Sequence, residues 1–184
     1  IRKYDLESLR AQIGYVAQKA HMFKGSIKSN ICFGKPEASD EEMHHAARVA
    51  QASDFISKRE NGYLDEIAED GTNISGGQKQ RLSIARVILK KPSLYIYDDS
   101  FSALDFKTDA TLRKALKPEV KDAIFFVVAQ RISTIMDSDM IIVLDEGQII
   151  GLGTHLELLK NCSVYQEIAH SQLTQKELDD YERN

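Results

Sequence analysis

Four short runs of this sequence carry residue types and spacings suited to phosphate and metal chemistry. Asn73-Ile74-Ser75-Gly76-Gly77-Gln78-Lys79-Gln80-Arg81 sets two glycines at the start of an expected helix. A helix N-terminus leaves backbone N–H groups bare, its dipole favours an anion, and glycine lets a phosphate come close. Ser75 adds a hydroxyl donor. Leu94-Tyr95-Ile96-Tyr97-Asp98-Asp99 is an apolar strand ending in paired acids, which puts carboxylates at the carboxyl edge of a sheet, where ligands bind. Asp98 is suited to a Mg2+ ion held largely through water, and Asp99 to polarising an attacking water. Ser102-Ala103-Leu104-Asp105 follows directly, and Phe125-Phe126-Val127-Val128-Ala129-Gln130-Arg131 delivers a polar side chain at a strand end. Each run also has a plain structural reading: a capped helix with a flexible entry, a turn, or a loop in which Asp105 caps the next helix.

The elements that must position these residues follow from pattern. Ile13 to Ala17 reads as a strand after a short helical turn. Ser39–Glu42, Ser75–Gln78 and Thr154–Glu157 have the spacing of capping boxes, each opening a helix. The second of these helices runs to about Lys90 and stops at Pro92. Leu94–Tyr97 and Ile124–Ala129 are short apolar strands with a helix near Phe106–Lys117 between them, and a short helical piece follows. Met140–Leu144 and Gln148–Leu152 flank Asp145-Glu146-Gly147, a hairpin signal. Alternation of buried strands and helices predicts a parallel, doubly wound α/β sheet. Residues 19–90 show no strand signal and read as a helical insertion, with Tyr95, Tyr97, Phe125 and Phe126 expected in the core. His155, next to a cap, reads as structural, and the charge run 176–183 as a solvated, frayed tail.

Composition narrows the classes. A net charge of -4 argues against a nucleic-acid surface. No run reaches the roughly 20 apolar residues needed to cross a bilayer, and no charged stretch followed by an apolar one opens these residues, so a signal peptide is not expected among them. Cys32 and Cys162 are isolated and match a reducing cytosol. A membrane role would come through a partner or another part of the polypeptide.

Taken in order, the motifs resemble the ATP-binding cassette (ABC) family, exporter type, over nearly the whole chain. Ile74–Arg81 resembles the signature, with Ile for the usual Leu, and Leu94–Asp98 the Walker B strand. Ser102, Ala103, Leu104 and Asp105 resemble the D-loop, and Tyr15-Val16-Ala17-Gln18 the Q-loop. Phe23–Ile31 is similar to the segment after the Q-loop in exporters, and Glu69-Asp70-Gly71 to the X-loop. The resemblance implies a P-loop NTPase-like (RecA-like) parallel core with an inserted helical subdomain. It divides the chain into a core remnant (1–18), the helical subdomain (19–90), the rest of the ATPase core (91–172) and a charged tail (173–184). It further implies ATP and Mg2+ as ligands, with Asp98 and Gln18 at the metal. Ser75, Gly76, Gly77 and Gln78 would bind ATP held by a second nucleotide-binding domain packed head to tail. A transmembrane domain, met by the Q-loop glutamine and fused upstream in the same polypeptide, would place the chain on the cytoplasmic face of the membrane, with no nucleic acid as partner.

Three departures from the family pattern shape the expected mechanism. The catalytic glutamate is Asp99, shortening the reach by about 1.5 Å, and the switch histidine is Gln130, which cannot cycle a proton near neutral pH. The 184 residues contain no G-x-x-x-x-G-K-[ST]. The family order sets that loop before the Q-loop, so these residues alone are expected to bind ATP poorly and to leave core surface uncovered. Two weakened positions beside a sound signature imply the degenerate-site subunit of a heterodimeric exporter. The alternatives are a non-catalytic regulatory nucleotide-binding domain, or a soluble ABC ATPase outside transport.

Overall fold

The computed structural model describes residues 4–174; the charge run 176–183 lies outside them. The chain divides into two compact units after Val128.

The first unit is built on helix α5 and a three-stranded sheet. Before α5 come α1 (Leu6–Ala11), β1 (Ile13–Val16), β2 (Gly25–Ser26), α2 (Ile27–Ile31), α3 (Asp40–Val49), α4 (Ser53–Ile56) and β3 (Glu66–Ile67). After it (Gly76–Lys90) come β4 (Leu94–Asp98), α6 (Phe106–Glu119) and β5 (Ile124–Val128). The sheet order is β1-β4-β5, all parallel, with Tyr15 opposite Ile96 and Asp98 opposite Val128. Helix α5 begins at a capping box, in which Ser75 Oγ accepts from the Gln78 N–H and Gln78 Oε1 from the Ser75 N–H. It ends at Lys91, which adopts a left-handed φ of 52°, directly before Pro92. Its inner face, Leu82, Ile84, Ala85, Ile88 and Leu89, is buried, so truncating Leu82 or Ile88 to Ala costs about 2–5 kcal/mol. A Cβ on Gly14 of β1 would stand 2.5 Å from Val87 and 2.6 Å from Pro92. Glycine there lets the Q-loop strand lie against the end of α5.

Three sequence expectations are corrected in this unit. The segment between β1 and α5 is mostly helical, but Gly25–Ser26 and Glu66–Ile67 pair as an antiparallel ladder. Two-residue strands are too short to show a period. The strand expected to reach Ala17 ends at Val16. Phe126 is not a core residue. Tyr95 and Tyr97 are buried and meet Phe125 edge-on, whereas Ile124, Phe126 and Val128 alternate onto an exposed face of β5.

The second unit holds α7 (Ile132–Ile135), the antiparallel hairpin β6 (Ile141–Asp145) and β7 (Gln148–Gly153), α8 (His155–Asn161) and α9 (Ser163–Gln172). Its turn uses left-handed backbone at Glu146 (φ 45°) and Gly147 (φ 77°). Ile132, Ile141, Val143, Leu158, Tyr165 and Ala169 form its core. His155 is buried, and its Nδ1 lies 2.7 Å from the Tyr165 hydroxyl. Burial holds the imidazole below its ordinary pKa and pushes the phenol up to about 12.

Candidate functional site

The glycine end of α5 faces outward. Its capping box uses the N–H groups of Ser75 and Gln78, leaving those of Gly76 and Gly77 as the unpaired donors of the first turn. A Cβ on Gly76 would meet nothing within 4 Å, so this position is open to a ligand. Gly77 differs, since a Cβ there would stand 3.3 Å from the Ala103 carbonyl oxygen of the D-loop. The Gly77 carbonyl accepts from Arg81 Nε at 3.3 Å, and Arg81 Nη1 reaches the Gln51 carbonyl at 2.7 Å while stacking over Phe55. Lys79 Nζ donates to the Asp70 carbonyl at 2.7 Å, tying the left-handed X-loop residue Asp70 to the same helix.

The acid end of β4 faces the Q-loop. Gln18 Nε2 donates to Asp99 Oδ2 at 3.0 Å, and the Tyr15 hydroxyl donates to Asp98 Oδ2 at 2.9 Å. That hydrogen bond to a carboxylate raises the Tyr15 pKa. Ser100 Oγ, fully buried, donates to the Val16 carbonyl at 2.9 Å. Asp99 is buried and has a positive φ of 44°, a region Asp enters more readily than most residues. Its N–H donates to the Val128 carbonyl at 2.9 Å, and its own carbonyl accepts from Ser102 Oγ at 2.7 Å. Ser102 and Ala103 are exposed and Leu104 is buried. Asp105 caps α6, accepting from the Thr108 N–H and Oγ1, which holds its carboxyl below the usual range.

The structure thus brings Gln18, Asp98, Asp99, the D-loop and the signature together within the first unit. Gln130 belongs to the second unit, where its carbonyl accepts from Gln172 Nε2 at 2.8 Å. Sequence reasoning placed Tyr15 and Gln80 inside the Q-loop and signature runs without giving either a role of its own, and did not name Ser100. Gln80 is buried, and its Nε2 donates to the Ala17 carbonyl at 3.1 Å, directly before Gln18. Gln80 lies inside the Ile74–Arg81 run, but its contact with the Q-loop is set by packing between segments 63 residues apart. Tyr15 and Ser100 depend on strand register and carry no local signal.

The donor set suits the implied ligands. Bare N–H groups beside an open glycine suit a phosphate. Among the described residues no three His, Cys, Asp or Glu side chains cluster as a metal cage. A cation at the end of β4 would instead rest on the Asp98 carboxylate, the Gln18 amide oxygen, water and phosphate. That hard-oxygen set fits magnesium.

Residues 1–102 match the family model described as ABC transporter. The chain belongs to the ABC transporter family. It is 42% identical over 175 residues to an uncharacterized ABC transporter ATP-binding protein of Mycobacterium tuberculosis, covering 94% of this chain and 30% of that protein. It is 45% identical over 168 residues to a putative multidrug export ATP-binding/permease protein of Bacillus subtilis, covering 91% of this chain and 29% of that one. Among solved structures, a bacterial Atm1-family ABC exporter with ATP bound superposes with a TM-score of 0.87 at 37% identity, covering 92% of this chain and 30% of that one. The chain therefore spans about 30% of the length of these relatives. ABC transporter chains of this kind have a P-loop NTPase fold, and this one supplies its parallel sheet and helices. No helix among the described residues is long and apolar enough to cross a membrane.

Proposed function

We propose that this chain is the nucleotide-binding part of an ABC exporter subunit that couples ATP binding and hydrolysis to export. On this reading it sits at the cytoplasmic face of the membrane, with a transmembrane domain in the same polypeptide. It pairs head to tail with a second, homologous nucleotide-binding domain. Phe23 and Phe33, exposed, stacked at 4.2 Å and backed by the Arg86 guanidinium, lie in the segment that faces the transmembrane domain on this reading.

The observation that carries the proposal is the contrast between an open signature and an occupied Asp99. The Gly76 and Gly77 amides are left as donors and, with the Ser75 and Gln78 side chains beside them, would complete a site on the partner. Asp99 is one methylene short of the family's glutamate and accepts from the Gln18 amide at 3.0 Å. Magnesium, when bound, would neutralise phosphate charge, with Asp98 and Gln18 holding it largely through water. The subunit's own site is therefore the weak one, with Gln130 as the second loss.

Restoring both positions tests this. Asp99→Glu with Gln130→His in the full-length polypeptide should raise single-turnover ATP hydrolysis at this subunit's site by about a hundredfold or more. Fast hydrolysis by the unaltered polypeptide on its own would sink the degenerate-site reading. The Gln18–Asp99 hydrogen bond also favours a second reading, a regulatory domain that holds nucleotide without turnover. That reading is retained if the restored protein binds ATP and still does not hydrolyse it.

A further inference from the structure

The Tyr15–Asp98 hydrogen bond is not explained by packing. Tyr15 is 54% exposed, so burial is not what holds its ring on β1. The parallel register sets Tyr15 opposite Ile96, and period-2 alternation then puts Asp98 on the same face, two residues further along β4. Its hydroxyl meets Asp98 Oδ2 at 2.9 Å. A carboxylate at a strand end turns freely unless something fixes it, and one donor on one oxygen fixes it while leaving the other oxygen for a cation. Gln18 makes the matching bond to Asp99, so each acid of the pair is held from β1 or the loop that follows it.

We propose that Tyr15 is a positioning residue for the divalent cation, orienting Asp98 so that its second oxygen faces the metal. The proposal rests on reading Asp98 as the cation's carboxylate ligand. Hydrogen-bond partners of ligating carboxylates commonly govern metal affinity by tenfold or more when removed. Phenylalanine at this position would keep the ring and lose only the donor.

The test uses the full-length polypeptide with a non-hydrolysable ATP analogue, counting bound Mn2+ by electron paramagnetic resonance. Asp98→Ala should remove most Mn2+ binding. Tyr15→Phe and Tyr15→Leu should each weaken Mn2+ affinity about tenfold. Metal-free binding of the analogue should move less than about twofold and the melting temperature should stay in place, readouts that a packing role would shift instead. If Asp98→Ala acts and both Tyr15 variants bind Mn2+ normally, the positioning role is wrong and the reading of Asp98 stands. If Asp98→Ala leaves Mn2+ bound, both fall. Equal loss of metal-free and metal-dependent binding in the Tyr15 variants also overturns the proposal, because it reports a general distortion.

Discussion

The N-terminus of α5 and the carboxyl end of β4 are both rich in polar groups, and they treat them in opposite ways. At α5 the capping box satisfies Ser75 and Gln78 and leaves the Gly76 and Gly77 amides facing outward. At β4 the chain turns on itself, with Tyr15 on Asp98, Gln18 on Asp99 and Ser100 on the Val16 carbonyl. An unpaired donor at an exposed turn costs little, because water serves it until a ligand arrives. An acid near the core has to be paired locally. Substitutions at the first end should therefore change function without changing stability, whereas at the second the buried Ser100 should carry stability and the exposed Tyr15 and Gln18 the hold on the two acids.

The largest effect is expected at Gly76. Gly76→Asp puts a negative charge where a phosphate would approach and, on the proposed function, should lower ATPase activity of the full-length polypeptide with its partner at least about a hundredfold. Asp is favourable at a helix N-terminus and no atom of the chain lies within 4 Å of the new Cβ. The melting temperature should therefore hold or rise, and a fall would break the comparison. Ser100→Ala removes a buried hydroxyl donor from the Val16 carbonyl, which keeps its ladder bond to β4, and should cost about 0.5–1.5 kcal/mol in urea unfolding. Gln18→Ala removes a bond from an exposed side chain. Amide exchange around Asp99 and Ser100 should quicken while global stability stays nearly constant, and unchanged exchange would show that Gln18 does not restrain the acid end.

The smallest effect lies outside both ends and serves as a control. Burial holds His155 below its ordinary value of 6.5, so the unfolded chain takes up a proton first as pH falls. The second unit should lose stability below about pH 6.5 and gain nothing above it. His155→Gln should flatten that slope when unfolding is followed from pH 7.5 to 5. Signature and Asp99 phenotypes should not follow it.

Much of this was legible in sequence, for identifiable reasons. The caps at Ser39, Ser75 and Thr154 are local hydrogen-bond patterns, and all three form. The hairpin around Glu146 and Gly147 follows from turn chemistry. Asp105 as a cap was readable because Asp precedes a helical run. What sequence could not supply was anything set by register between distant segments. Tyr15 and Asp98 are 83 residues apart, as Gln18 and Asp99 are 81. The exposed Phe126 was misread because a continuous apolar run hides which face is covered.

One contact made by α5 reaches further than the site it belongs to. Gly77 abuts the Ala103 carbonyl, and three residues on, Gln80 grips the carbonyl before Gln18. Three residues are about 4.5 Å of helix rise, less than one turn. The first turn of this helix is thus geared to both the D-loop and the Q-loop. A ligand drawing on its amides pulls a rigid rod with two teeth, so on the proposed head-to-tail pairing an event at the partner's nucleotide would register here as a shift in the acids themselves.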